Sequence, residues 1–78
     1  MERSADIKID LRGTPCPLNW VKTKLRLEEM APGQVIEVFL DQGAPERNVP
    51  RSAAGEGHQV LESMPERDGV RVFIKKCG

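Results

Sequence analysis

The spacing of apolar positions changes along this chain, and each change marks an element. Ile7, Ile9 and Leu11 alternate with Lys8 and Asp10, the period of a half-buried strand. Arg12-Gly13-Thr14-Pro15 breaks that strand. From Pro17 to Met30 the period becomes helical, with Leu18, Val21 and Leu25 on one stripe expected to face a core. Lys22, Lys24, Arg26 and Glu29 fall elsewhere. Met30-Ala31-Pro32-Gly33 ends the helix, because proline cannot continue it and glycine suits the turn beyond. Gln34 to Leu40 reads as a second strand, rich in β-branched and aromatic residues. Ile36, Val38 and Leu40 would face one side, and Val35, Glu37 and Phe39 the other.

Asp41-Gln42-Gly43-Ala44-Pro45 then forms a loop. A second helix is expected from about Pro45 to Glu56, with Val49 and Ala53 inward, Gly57 closing it and a kink or short turn before Pro50. Gln59 to Glu62 suggests a short third strand. Arg67-Asp68-Gly69 supplies a turn, and Val70, Val72 and Ile74 mark a fourth strand ending near Lys76. The order is β-α-β-α-β-β. A strand, helix and strand in succession favour parallel pairing through a right-handed crossover. The short last connection favours an antiparallel hairpin. The expected fold is a mixed four-stranded α/β (α+β) sheet, its two helices covering one face and leaving the other partly open.

Length sharpens this picture. Seventy-eight residues allow one domain over residues 1–78 with a thin core, residues 1–6 being expected to be flexible. Trp20, Phe39 and Phe73 are the only aromatics, so no deep cofactor pocket is expected. Twelve basic side chains balance twelve acidic ones, against the excess positive charge of a general nucleic-acid binder. No apolar run approaches the roughly 20 residues that span a bilayer, and residues 1–6 lack the apolar stretch of a secretory signal. A cytoplasmic, monomeric protein away from membranes is expected.

Only Cys16 and Cys77 carry thiols, too few for a disulfide scaffold. No metal site is expected either: His58 is the sole histidine, and neither cysteine has a CxxC or CxxH partner. Cys16 is the residue that stands out. It follows a strand and a glycine-containing loop and precedes Pro17, and proline suits the first helical position. That places Cys16 at the helix cap, its sulfur near free N–H groups and the positive end of the helix dipole. A free thiol has a pKa of about 8.5, and such a site lowers it by a unit or more. A buried cysteine used as a small hydrophobe is the commoner case, but a strand-to-helix corner is a poor place for one. No histidine adjoins Cys16 in sequence, which argues against Cys-His hydrolysis. A thiol that relays sulfur needs no such base.

Asp10-Leu11-Arg12-Gly13-Thr14-Pro15-Cys16-Pro17-Leu18-Asn19 resembles the signature Asp-x-x-Gly-x-x-Cys-Pro-x-Pro of the TusA-like (SirA-like) sulfur-carrier family. The similarity continues through Met30-Ala31-Pro32-Gly33 and from Asp41 to Pro50, and covers Ile7 to Lys76. This resemblance implies a two-layer βαβαββ sandwich and a sulfurtransferase-type carrier that holds sulfane sulfur on Cys16 as a persulfide, with no separate cofactor. Asp10, Gly13 and Pro17 take the motif positions around it. The implied partners are a cysteine desulfurase or other sulfur-donor protein and a downstream acceptor protein, in tRNA thiolation or other sulfur trafficking. Asn19 departs from the motif, standing where its second proline belongs. As the third helical residue it would offer a backbone N–H to the cap side chain.

Arg12, Lys22, Lys24 and Arg26 form a candidate docking patch for an acidic partner, or simply a solvated helix face. Asp41 and Arg47 follow the second strand, at the sheet edge that hosts ligand sites in open α/β sheets. Cys77 is expected on the opposite edge, without a role. Phe39 and Phe73 cover the face away from the core or form a partner surface there. The competing readings are a non-catalytic interaction module and an RNA-binding module using that open face.

Overall fold

The computed structural model describes residues 5–15 and 18–77. Its elements are β1 (Ile7–Asp10), α1 (Leu18–Glu29), β2 (Val35–Leu40), α2 (Ala44–Gly55), β3 (Gln59–Glu66) and β4 (Gly69–Lys75). The strands form one sheet in the order β1-β2-β4-β3, with β1 parallel to β2 and the other pairs antiparallel. This is the mixed four-stranded α+β architecture that the pattern of elements implies.

The register shows why one face is core. Ile7 and Ile9 stand beside Ile36 and Val38, and these beside Ile74 and Val72. Ile36, Val38, Leu40, Val70, Val72 and Ile74 are essentially sealed from water, with Val49 and Ala53 of α2 and Leu27 of α1 packed against them. The alternate positions, Lys8, Glu37, Phe39, Arg71 and Phe73, share the other face, so Phe39 and Phe73 do lie away from the core. Phe73 is nonetheless buried there, flanked by Glu37 and Glu62 on the neighbouring strands.

Three expectations need correction. The largest concerns α1. Leu18, Val21 and Leu25 are 50, 42 and 55% exposed, whereas Asn19, Thr23 and Leu27 are buried. At 100° per residue the two stripes lie about 160° apart on the helix. Two polar groups of the buried stripe find partners within the helix: Thr23 Oγ1 donates to Asn19 O at 2.9 Å, and Asn19 Oδ1 accepts from Trp20 N at 2.7 Å. Second, α2 runs through Pro50 as one helix, so of the kink and the short turn expected there the turn does not occur. Its ends offset the missing hydrogen bond. Glu46 Oε1 accepts from Gly43 N at 2.8 Å, and Gly57, at φ +92°, turns the chain as its N–H donates to Ala54 O.

Third, β3 continues to Glu66, four residues beyond the expected end, with an irregularity between Val60 and Glu62. An edge strand tolerates Pro65 and needs no strict alternation, which hid it from a periodicity argument. Ahead of β1, Asp6 N–H donates to Val35 O at 2.8 Å, and its carboxylate accepts from Val35 N at 2.9 Å.

Candidate functional site

Cys16 and Pro17 lie outside the described residues, as do the roles assigned to them. The chain that leads to them is firmly held. Leu11 leaves β1 with its N–H on Phe39 O at 2.8 Å, and Thr14 N–H closes a turn on Leu11 O at 3.1 Å. Gly13 at that turn has φ +78°, a conformation that favours glycine. Its N–H donates to Asp41 Oδ2 at 2.6 Å, across 28 residues of sequence. The carboxylate at the end of β2 thus ties down the loop at the end of β1. Asp41, a candidate by its strand-end position, has Gly13 as its partner.

Asp10 and Arg12 clamp the same loop from the open face. Asp10 Oδ1 accepts from Arg12 N and Nε at 3.1 and 3.0 Å, and Oδ2 accepts from its terminal nitrogen at 2.8 Å. The guanidinium lies 4.3 Å from the centre of the Phe39 ring, with that of Arg71 at 5.3 Å. Arg71 in turn meets Glu66 at 2.9 Å and Glu37 at 3.5 Å. The Arg12–Phe39–Arg71 stack was not anticipated. Only the pairing of Phe39 with Asp10 and Arg71 brings it together. With both guanidiniums committed to carboxylates, this face does not favour phosphate binding.

The bonds from Arg12 hold the Asp10 carboxyl down at about 2, from an ordinary 3.8. A lowered folded-state pKa means that this group's stabilisation is present above the ordinary value and lost as pH falls through about 2. In a carbon-detected NMR titration the Asp10 carboxyl should therefore have its midpoint near 2. In an Arg12→Ala chain the midpoint should return toward 3.8. A midpoint near 3.8 in both chains would show that the clamp does not form in solution.

The helix that follows opens with Asn19 N–H donating to Pro15 O at 3.2 Å. Asn19 N–H is therefore not the free donor expected for the sulfur, because the first helical hydrogen bond already takes it. The Asn19 side chain is buried, and its Nδ2 has no partner among the described residues. Proline here would remove two bonds, that to Pro15 O and the acceptor for Trp20 N–H. Asn19→Pro should cost about 1–3 kcal/mol, read by urea unfolding followed through the fluorescence of Trp20. A stability equal to that of the parent chain would mean that neither bond matters.

The remaining candidates separate. Lys22 and Arg26 flank a groove of about 450 Å³ between α1 and β1, floored by Ile9, Leu11 and Leu25. Lys24 turns away, 3.5 Å from Glu56 at the end of α2. Arg47 is exposed in the first turn of α2. His58 and Cys77 meet at the opposite edge, Cys77 N–H donating to His58 Nδ1 at 3.2 Å. No cluster of three or more metal-ligating side chains occurs among the described residues, and no helix is long and apolar enough to cross a membrane.

Comparison with known proteins bears on this geometry. The family model described as Sulfurtransferase TusA matches residues 7–76. A protein of Archaeoglobus fulgidus named "Putative sulfur carrier protein" is 43% identical over 70 residues, covering 87% of this chain and 78% of its own length. YedF of Escherichia coli strain K12, named in the same way, is 30% identical over 71 residues, covering 91% of this chain and 92% of its own. Among solved structures, the SirA-like protein of Desulfitobacterium hafniense superposes with a TM-score of 0.79 at 31% identity. That match covers 92% of this chain and 99% of the other.

Proposed function

Because this chain belongs to the TusA family, we propose that it is a sulfur carrier that accepts sulfane sulfur on Cys16 as a persulfide and passes it to a partner protein. The observation that carries this reading is the bond from Gly13 N–H to Asp41, which fixes the loop three residues before Cys16 at the strand-end edge of the sheet. A reactive thiol presented to another protein's thiol needs a rigid, accessible support more than a deep pocket. The hydrogen bonds of the loop before Cys16 support that reading.

In the proposed step the Cys16 thiolate attacks the outer sulfur of a donor persulfide. A Cys16–sulfur bond forms, the sulfur–sulfur bond of the donor breaks, and its electron pair leaves with the donor thiolate. The sulfane sulfur moves without net oxidation or reduction, so the chain needs no cofactor of its own. The reverse sense of the same exchange delivers the sulfur to an acceptor. The donor is a cysteine desulfurase or a protein of like chemistry, the setting is cytoplasmic, and thiolation of tRNA is the downstream use the family resemblance suggests.

The test is the intact mass of the chain after incubation with a cysteine desulfurase and L-cysteine. A gain of one sulfur, reversed by a thiol reductant and mapped to the peptide holding Cys16, is expected. Addition to Cys77 instead would assign the carrier role to the wrong cysteine.

A further inference from the structure

Helix α1 is apolar on two sides. Leu27 serves the core together with the half-buried Trp20, while Leu18, Val21 and Leu25 stand largely in water nearly opposite. An aliphatic stripe of this kind, at helical spacing and without cover, marks an interaction surface more often than chance. Beside it runs the groove floored by Ile9, Leu11 and Leu25. Its charge is lopsided. Asp10 is neutralised by Arg12, whereas neither Lys22 nor Arg26 has a carboxylate partner among the described residues. Glu29 at the far end offsets only one of these cations.

We propose that this groove and stripe are the docking surface for the partner with which sulfur is exchanged, and that they receive a protein segment carrying aliphatic side chains flanked by carboxylates. The proposal rests on the persulfide-carrier reading and adds the chemistry of the partner. Aliphatic side chains of that segment cover Leu18, Val21 and Leu25, and its carboxylates meet Lys22 and Arg26. Leu18, at one end of the stripe, is two residues from Cys16 in sequence. Opposite charge also steers the encounter and makes it sensitive to salt.

The experiment compares two donors of sulfane sulfur, a cysteine desulfurase with L-cysteine and inorganic polysulfide, by the rate at which mass is added to Cys16. The quantity read is the ratio of the two rates, since polysulfide needs no protein docking. The ratio should fall at least tenfold in the double variant Lys22→Glu with Arg26→Glu, and again in Leu25→Asp. Arg51→Glu, a single charge reversal at an exposed position of α2, should leave it within twofold. All these side chains are exposed, so circular dichroism melts should stay close to that of the parent. Loading by both donors at an unaltered ratio overturns the docking surface while leaving the carrier reading standing. Loading by neither donor rejects the carrier reading and the docking surface with it. If sedimentation shows that the variants only dissociate a dimer, the face is a contact between copies, and the proposal is equally overturned.

Discussion

Serine at position 16 should abolish sulfur loading, whereas serine at position 77 should leave it intact. A hydroxyl cannot form the sulfur–sulfur bond, and at neutral pH it is almost wholly protonated, so Cys16→Ser should fall below detection. Cys77 is exposed beyond the end of β4, its N–H held by His58. Because β4 runs antiparallel to β2, Lys75 pairs with Val35, at the start of β2. The loop before Cys16 is bonded to Phe39 and Asp41, at the other end of that strand. Six residues of strand separate the two edges by about 20 Å. A disulfide needs Cα atoms within roughly 7 Å, so the oxidised monomer should not bridge the two cysteines. Persulfide mass on each variant, with non-reducing peptide mapping of the parent, tests both statements. Loading of Cys16→Ser, or a bridged native monomer, would contradict the placement of the site.

Alanine at position 69 should be the most damaging single methyl group in the chain. Gly69 is buried at the start of β4, and a Cβ there would press on the backbone carbonyl of Leu40, lie 2.8 Å from Phe39 Cε1 and come 3.4 Å from Arg12 Cδ. A ring can yield, but the carbonyl belongs to the central strand pair and cannot move without shifting Leu40 against Val70. Overpacking of this kind costs about 1–3 kcal/mol and occasionally more. A chain of this size has a total of roughly 4–12 kcal/mol. The melting temperature should fall by roughly 4–24 °C. The same displacement would move Phe39 and Arg12, so the Asp10 carboxyl should lose part of its depression and loading of Cys16 should slow. A drop of under about 3 °C would mean that the approach of the strands at Gly69 is looser than described.

Both outcomes depend on features of different legibility. The alternation at Ile7, Ile9 and Leu11, the run from Gln34 to Leu40, and the stops at Gly33 and Gly57 are local. Each reports the energy of a few neighbouring residues, and each appears in the fold at its expected place, to within one or two residues. The cysteine in its glycine- and proline-bounded loop is likewise written in contiguous residues. Gly69 was legible only as part of a turn, because the atoms it makes room for belong to Arg12, Phe39 and Leu40.

Tertiary structure decided the rest, for a common reason. Periodicity shows that a helix has an apolar stripe, but not which neighbour covers it. α1 has two such sides, and the one carrying Asn19, Thr23 and Leu27 is buried, with Thr23 Oγ1 and Asn19 Oδ1 bonded within the helix. The bond from Gly13 to Asp41, the meeting of Arg12 and Arg71 on Phe39, and the tie of Asp6 to Val35 join residues far apart in sequence. Their strength depends on register, and register is a property of the assembled sheet: a shift of one residue would turn Phe39 into the core and carry the Asp10–Arg12 clamp away with it.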